Sequence, residues 1–234
     1  TPDHLDRYDY KMENYVASKF RITENQTSAD YFVVNKDDTT ITTYIASHSI
    51  HATTIYFTMS ENHTGNEGGS VGNERLRIGY DSEQLDMSIH DLTLRGRHNQ
   101  YNSMAAGISA RVAGVRKEKL RETFATFKGL EHRLETVATV RGVEFVNDSK
   151  ATNVNSVWYA LESMKKPVIL ILGGQDKGND YSEILSLVEE KVKAIVCMGV
   201  DNAPIHAAFD DVVATIADTD SAEAAVRMSF RLAE

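Results

Sequence analysis

From residue 154 to residue 233, apolar runs of strand length alternate with segments of helical periodicity, and this alternation limits the fold more than any other feature of the chain. It predicts helices over 154–164, 180–192, 202–209 and 221–233, with strands over 168–172, 194–198 and 212–216 between them. Continuously apolar strands are those buried on both faces, so the pattern implies a parallel sheet covered by helices on either side and joined by right-handed crossovers. Just before it, runs over 134–140 and 143–146 flank Arg141-Gly142 and predict a hairpin.

The preceding residues are less regular. Leu5, Tyr8, Met12, Tyr15, Val16 and Phe20 form one stripe of a helix predicted over 5–24, and Lys19 falls on that stripe. A lysine facing inward needs a partner, or it must carry its ammonium out to water along its own stem. Strands are expected over 31–34, 54–59, 76–80 and 87–94, and the Gly, Asn and Ser content of 61–73 suggests a loop or hairpin turn. A helix should follow Gly96, with Met104, Ala105, Ile108 and Val112 inward. A second, over 117–127, should place Leu120, Phe124 and Phe127 inward and stop at Gly129. The change of character near residue 130 divides the chain into 1–130 and 131–234, the second part being a Rossmann-like domain without a Gly-x-Gly-x-x-Gly fingerprint.

Composition excludes several functions. The formal net charge of −9 disfavours general binding to nucleic acid or to anionic membranes, which both need basic surface. No apolar stretch approaches the ~20 residues of a membrane span, so a cytoplasmic protein is expected. The single cysteine, Cys197, lies in an apolar run and reads as a buried core thiol.

Chemistry concentrates where strands hand over to helices. In a parallel sheet, ligands bind beyond the carboxyl ends of the strands, and the loops 147–153, 173–179 and 199–202 should converge there. They carry Asp148, Lys150, Thr152, Asn153, Asp176 and Lys177. Two lysines in one crevice suit an anionic ligand; alternatively, Gly173-Gly174 makes a tight turn while Asp148 and Thr152 cap the next helix.

Several blocks carry a resemblance: Pro2-Asp3-His4-Leu5-Asp6-Arg7-Tyr8, Ala17-Ser18-Lys19, Gly96-Arg97-His98-Asn99-Gln100-Tyr101-Asn102, Gly129-Leu130-Glu131-His132-Arg133-Leu134-Glu135, and Asn147-Asp148-Ser149-Lys150-Ala151-Thr152-Asn153. In this order and spacing they resemble the Mur ligase family, and the last block resembles its D-glutamate-adding branch. The resemblance implies the latter part of a central ATPase domain followed by an amino-acid-binding domain. It implies an ATP-dependent ligase that joins D-glutamate to UDP-N-acetylmuramoyl-L-alanine in peptidoglycan precursor synthesis, acting as a monomer. It further implies two Mg²⁺ ions, with His4 at the metal site and Lys19 carbamylated so that it organises the second ion. Asn102 would serve adenine, Arg133 the phosphates and Asp148 the ribose, with Asn99 also binding the nucleotide. Lys150 and Thr152 would flank the reacting carboxylate and the incoming amino acid, with Asn153 and Lys177 on the D-glutamate side.

The chain departs from the family in lacking a Gly-x-x-x-x-Gly-Lys-Ser/Thr phosphate loop. The expectation is therefore a piece of the enzyme, without the uridine-nucleotide domain, the phosphate-loop half of the central domain and the extreme C-terminus, and inactive alone. Two other readings stay open: another ligase of the superfamily, including a folylpolyglutamate type, and a non-catalytic Rossmann-like module that binds a small anion. A phosphate loop upstream in the open reading frame separates the ligases from the module.

Overall fold

Five short strands, the first at Tyr31–Asn35 and the last at Glu83–Ser88, build the first sheet. A computed structural model describes residues 2–60, 67–94, 96–174 and 178–234, with side chains from residue 5 onward. The chain forms two compact units, Thr1–Lys128 and Gly129–Glu234.

In the first unit, α1 (Met12–Phe20) follows a 3₁₀ turn over Pro2–Tyr8, so the predicted helix over 5–24 is interrupted. Asp9 and Tyr10 have φ of 57° and 55°, a left-handed pair that no continuous helix accommodates. Only Phe20 of the predicted stripe is fully buried. Strand β1 (Tyr31–Asn35) leads to α2 (Thr39–Ser47), a helix that its four threonines conceal at the level of sequence. Asp38 starts it by accepting a hydrogen bond from the Ile41 amide at 3.0 Å.

Strands β2 (Thr53–Thr58), β3 (Gly68–Gly72), β4 (Arg75–Tyr80) and β5 (Glu83–Ser88) complete a five-stranded sheet in chain order. Its first three strands are parallel, and β4 and β5 join antiparallel. Two corrections arise here. The glycine-rich run contains β3, and the strand expected over 87–94 instead ends at Ser88 and gives way to a 3₁₀ turn over Ile89–Asp91. Both hairpins turn on two residues with positive φ, Asn73-Glu74 and Asp81-Ser82, pairs that lack the glycine usually marking such turns. Helix α3 (Arg97–Val112) packs on this sheet, with Met104 and Ile108 against Leu76, Ile78, Leu85 and Met87. Helix α4 (Lys117–Thr126) adds Leu120, while Phe127 beyond its end is exposed.

In the second unit, β6 (Glu135–Val140) and β7 (Val143–Asn147) form the expected hairpin about Arg141-Gly142, as a separate two-stranded sheet. Then come α5 (Val154–Ser163), β8 (Val168–Leu172), α6 (Leu185–Lys191), β9 (Val192–Cys197), α7 (Ala203–Phe209), β10 (Ile216–Asp218) and α8 (Ala222–Ala233). The three later strands form a parallel sheet in the order β10-β9-β8. Residues 212–215 are not the strand predicted there: the Val212 and Val213 amides both donate to the Phe209 carbonyl, which extends a turn and delays β10. The core gathers Leu161, Ile184, Val188, Ile195, Cys197 and Phe209. Lys191 closes α5 by donating to the carbonyls of Leu161, Glu162 and Met164 at 2.9–3.1 Å, placing a cation at a helix C-terminus. Among the described residues, no helix is long and apolar enough to cross a membrane.

Candidate functional site

Polar side chains gather around a strand end in each unit. In the first unit the constellation lies beyond the carboxyl ends of β1 and β2, at the start of α3. Asp37, two residues past β1, accepts from the Thr58 hydroxyl at 2.5 Å, the Met59 amide at 2.7 Å and the Tyr101 hydroxyl at 2.8 Å. Burial pushes its carboxyl up, but those three donors and the nearby Arg97 charge outweigh this and hold it below the usual carboxylate range. Burial first, and then Asp37, push the Tyr101 phenol up. The carboxylate therefore ties the opening turns of α3 to the edge of the sheet. Gly96 precedes the helix with φ 92°, a conformation that L side chains rarely adopt. Asn99 and Asn102 follow one turn apart, with the Asn102 amide group 3.5 Å from the Asn99 side-chain oxygen. Asn102 is exposed.

Asp37 escaped the sequence reading, although an acidic pair immediately after a parallel strand was its signal. We expect Asp37→Asn to cost about 0.5–1.5 kcal/mol at pH 7, a charge-assisted contribution reduced because the residue is solvent-exposed. A depressed carboxylate pKa contributes stability above the unfolded value of about 3.9, and that contribution is lost as pH falls through the folded value. The gap between wild type and variant in urea denaturation should therefore shrink below about pH 4. An equal gap at pH 7 and pH 3 excludes the charge as its source.

Lys19 departs from expectation. It is exposed on the last turn of α1, with Nζ 5.3 Å from the centre of the Tyr15 ring. The inward position required the Met12–Tyr15 face of the helix to be buried, but Met12 is itself exposed and Tyr15 only half-buried. The contact with Tyr15 is a cation–π arrangement at the surface. The backbone of His4 lies in the first 3₁₀ turn, and its side chain falls outside the described residues.

In the second unit, the turn after β7 is stitched to the segment before β6. Asp148 Oδ1 accepts from the Leu134 amide at 3.1 Å, the Lys150 amide donates to the His132 carbonyl at 3.1 Å, and the Asn147 amide group lies 2.8 Å from His132 Nδ1. His132 and Leu134 have φ of 66° and 46°, so Arg133 sits between two left-handed residues. These bonds bring Arg133, Asp148 and Lys150 to one edge, and Arg133 and Lys150 are exposed. The exposed Thr152 does not cap α5; Asn153 does, accepting from the Ser156 amide at 2.8 Å.

Of the three loops expected to converge, two are seen in contact: the Gly174 amide donates to the Met198 carbonyl at 3.0 Å. A side chain at Gly173 would overlap the Met198 carbonyl, so only glycine permits this approach. Residues of the 147–153 turn hydrogen-bond to His132 and Leu134. Asp176 and Lys177 lie outside the described residues.

The start of α3 in the first unit offers side-chain amides. The paired turns of the second unit offer a carboxylate and two cations, of which the guanidinium and the ammonium suit phosphate or carboxylate ligands. Residues 1–110 match the Mur ligase middle domain, and residues 132–234 match the Mur ligase, glutamate ligase domain. The chain belongs to the Mur ligase family. It is 47% identical over its whole length to a UDP-N-acetylmuramoylalanine–D-glutamate ligase of Christiangramia forsetii and 48% identical to one of Bacteroides thetaiotaomicron, in each case covering 52% of the relative. The chain thus spans about half the length of these curated relatives. Among solved structures, MurF from Acinetobacter baumannii aligns with TM-score 0.70 and 16% identity, over 94% of this chain and 49% of that one. A pseudomurein peptide ligase type C from Methanothermus fervidus aligns with TM-score 0.67 and 18% identity, over 100% and 56%. At these identities, the two structures show the fold alone.

Proposed function

We propose that this chain is part of an ATP-dependent ligase that forms the amide between UDP-N-acetylmuramoyl-L-alanine and D-glutamate in the cytoplasm. The observation that carries the reading is the stitched turn holding Arg133, Asp148 and Lys150 together, in a chain so similar throughout to relatives bearing that name. The reaction has two steps. The substrate carboxylate attacks the γ-phosphate of ATP to give an acyl phosphate and ADP, and the amine of D-glutamate then displaces phosphate and loses a proton. Both steps bring like charges together, so cations must surround the reacting groups.

Residues 1–130 supply the latter part of the ATP-binding domain, and residues 131–234 supply the amino-acid-binding domain. Asn102 holds adenine, Arg133 the phosphates and Asp148 the ribose hydroxyls, with Asn99 also on the nucleotide. Lys150 and Thr152 flank the acyl group, with Asn153 and Lys177 towards D-glutamate. Mg²⁺ supplies charge neutralisation for phosphoryl transfer. His4 and Lys19 are the residues that would hold it. An ammonium cannot ligate a cation, but the Lys19 amine is exposed to dissolved CO₂, and a carbamate would offer the oxygen donors that Mg²⁺ prefers.

The test uses the full-length protein that carries this chain. Phosphate release should require ATP, Mg²⁺, UDP-N-acetylmuramoyl-L-alanine and D-glutamate together. Lys19→Ala should lose most activity and recover part of it with short-chain carboxylic acids. Turnover with another amino acid in preference to D-glutamate overturns the assignment, and full activity of Lys19→Ala without additive overturns the carbamate.

A further inference from the structure

A further group of chemically capable side chains lies at the carboxyl ends of β9 and β10, made of residues given no ligand-binding role above. Cys197 ends β9, Asp218 ends β10, and His206 projects from α7. One donor atom from each, the thiol sulfur, an imidazole nitrogen and a carboxylate oxygen, lie within 4.8 Å of one another. Cys197 is fully buried, His206 retains 31% side-chain exposure and Asp218 retains 58%, so the group opens to solvent on one side.

The surrounding bonds hold the three donors in place. Thr219 donates to the Cys197 carbonyl through its amide at 2.9 Å and its hydroxyl at 2.8 Å. Asn202 donates to Asp218 Oδ1 at 2.8 Å. His206 Nδ1 lies 3.0 Å from Asp210 Oδ1, while Nε2 lies 3.2 and 3.3 Å from the two oxygens of Asp218. Both ring nitrogens thus face carboxylates. A neutral imidazole carries one N–H and can satisfy only one of them. The other position demands a second proton or a metal cation. With Nδ1–H given to Asp210, the Nε2 lone pair points at Asp218 beside the cysteine sulfur, which is the carboxylate–histidine–metal relay found behind histidine ligands.

We propose that Cys197, His206 Nε2 and Asp218 form a binding site for one thiophilic divalent transition metal of the zinc class, with Asp210 as the positioning residue behind the histidine. Binding forms metal–sulfur, metal–nitrogen and metal–oxygen bonds. It releases the thiol proton and any Nε2 proton to solvent, with no change of oxidation state. Ligand bonds of about 2.0–2.3 Å at tetrahedral angles place donors about 3.3–3.6 Å apart. Donors now separated by as much as 4.8 Å therefore close by about 1 Å on binding, through side-chain rotation at the exposed Asp218. Water completes the coordination from the open side. The mixed sulfur, nitrogen and oxygen donors favour zinc or cobalt over Mg²⁺, which takes oxygen ligands. The inference is independent of the ligase reading.

Cobalt(II) titration of the full chain under thiol-reducing, metal-free conditions tests it. Wild type should develop a sulfur-to-cobalt charge-transfer band that saturates at one equivalent and is bleached by zinc. Cys197→Ser should abolish the band. His206→Gln and Asp210→Asn should each weaken binding about ten- to a hundred-fold, with folding checked by circular dichroism. His206 and Asp210 are both partly exposed, so their variants keep the test decisive if Cys197→Ser does not fold. Absence of the band in wild type, or unchanged binding in a folded His206→Gln, overturns the site and leaves a hydrogen-bonded cluster only.

Discussion

Gly173→Ala should destabilise the second unit by about 1–3 kcal/mol, the range for forcing extra volume into a packed site. The new methyl group would overlap the carbonyl carbon and oxygen of Met198, and a backbone carbonyl cannot swing aside as a side chain does. Relief requires the end of β8 to separate from the end of β9, which would break the bonds from Gly174 N to Met198 O and from Met198 N to Leu172 O. Gly174→Ala provides the comparison. Gly174 has φ 109° and nothing within 4 Å of an added Cβ, so that variant suffers backbone strain without overlap. Urea denaturation of both should rank Gly173→Ala as the more damaging. If Gly173→Ala lies within about 0.5 kcal/mol of wild type, the close approach of these turns is not what the glycine serves.

The second large effect concerns the division of the ligand site between nucleotide and amino acid. In the full-length protein, Lys177→Ala should raise the apparent KM for D-glutamate about ten- to a hundred-fold and leave that for ATP nearly unchanged. The magnitude is that of one charge-assisted hydrogen bond, about 1.5–3 kcal/mol. Asp148→Ala should do the reverse, since a carboxylate suits ribose hydroxyls and repels a dicarboxylate. The structure adds a reason for expecting Asp148→Ala to be severe: Asp148 Oδ1 also holds the Leu134 amide, and with it the left-handed segment that presents Arg133. Asp148→Asn keeps an acceptor for that amide and should retain part of the ATP affinity. Lys177→Ala weakening ATP while sparing D-glutamate would show this division of the site to be wrong.

Much of the second unit was legible because its residues are locally consistent. Helices α5, α7 and α8 begin and end within a residue of the periodicity, and β8 coincides with the apolar run 168–172. The hairpin followed from Arg141-Gly142, whose φ values of 49° and 83° fit the two-residue turn. In the first unit local signals conflict with the fold. Four threonines disguise α2 until Asp38 caps it, and β3 is built on glycines whose place in the sheet depends on neighbours distant in sequence. Gly69 pairs with Phe57 on one side and Ile78 on the other.

The candidate site divides along the same line. Asn99, Asn102 and Arg133 were picked out through the resemblance of their motifs to the family, whereas Asp148 and Lys150 also stood out by their place between a strand and a helix. Sequence alone also determined the two-part organisation and the parallel sheet, through the period of the apolar residues. Only the tertiary structure decided which groups meet. It left Lys19 exposed on a face of α1 that is not buried, and joined Asp37 to Tyr101 across 64 residues. It set Asp148 against the Leu134 amide and gathered Cys197, His206 and Asp218. Periodicity records which face of an element is apolar, whereas hydrogen bonds between distant residues depend on where the chain brings those elements together.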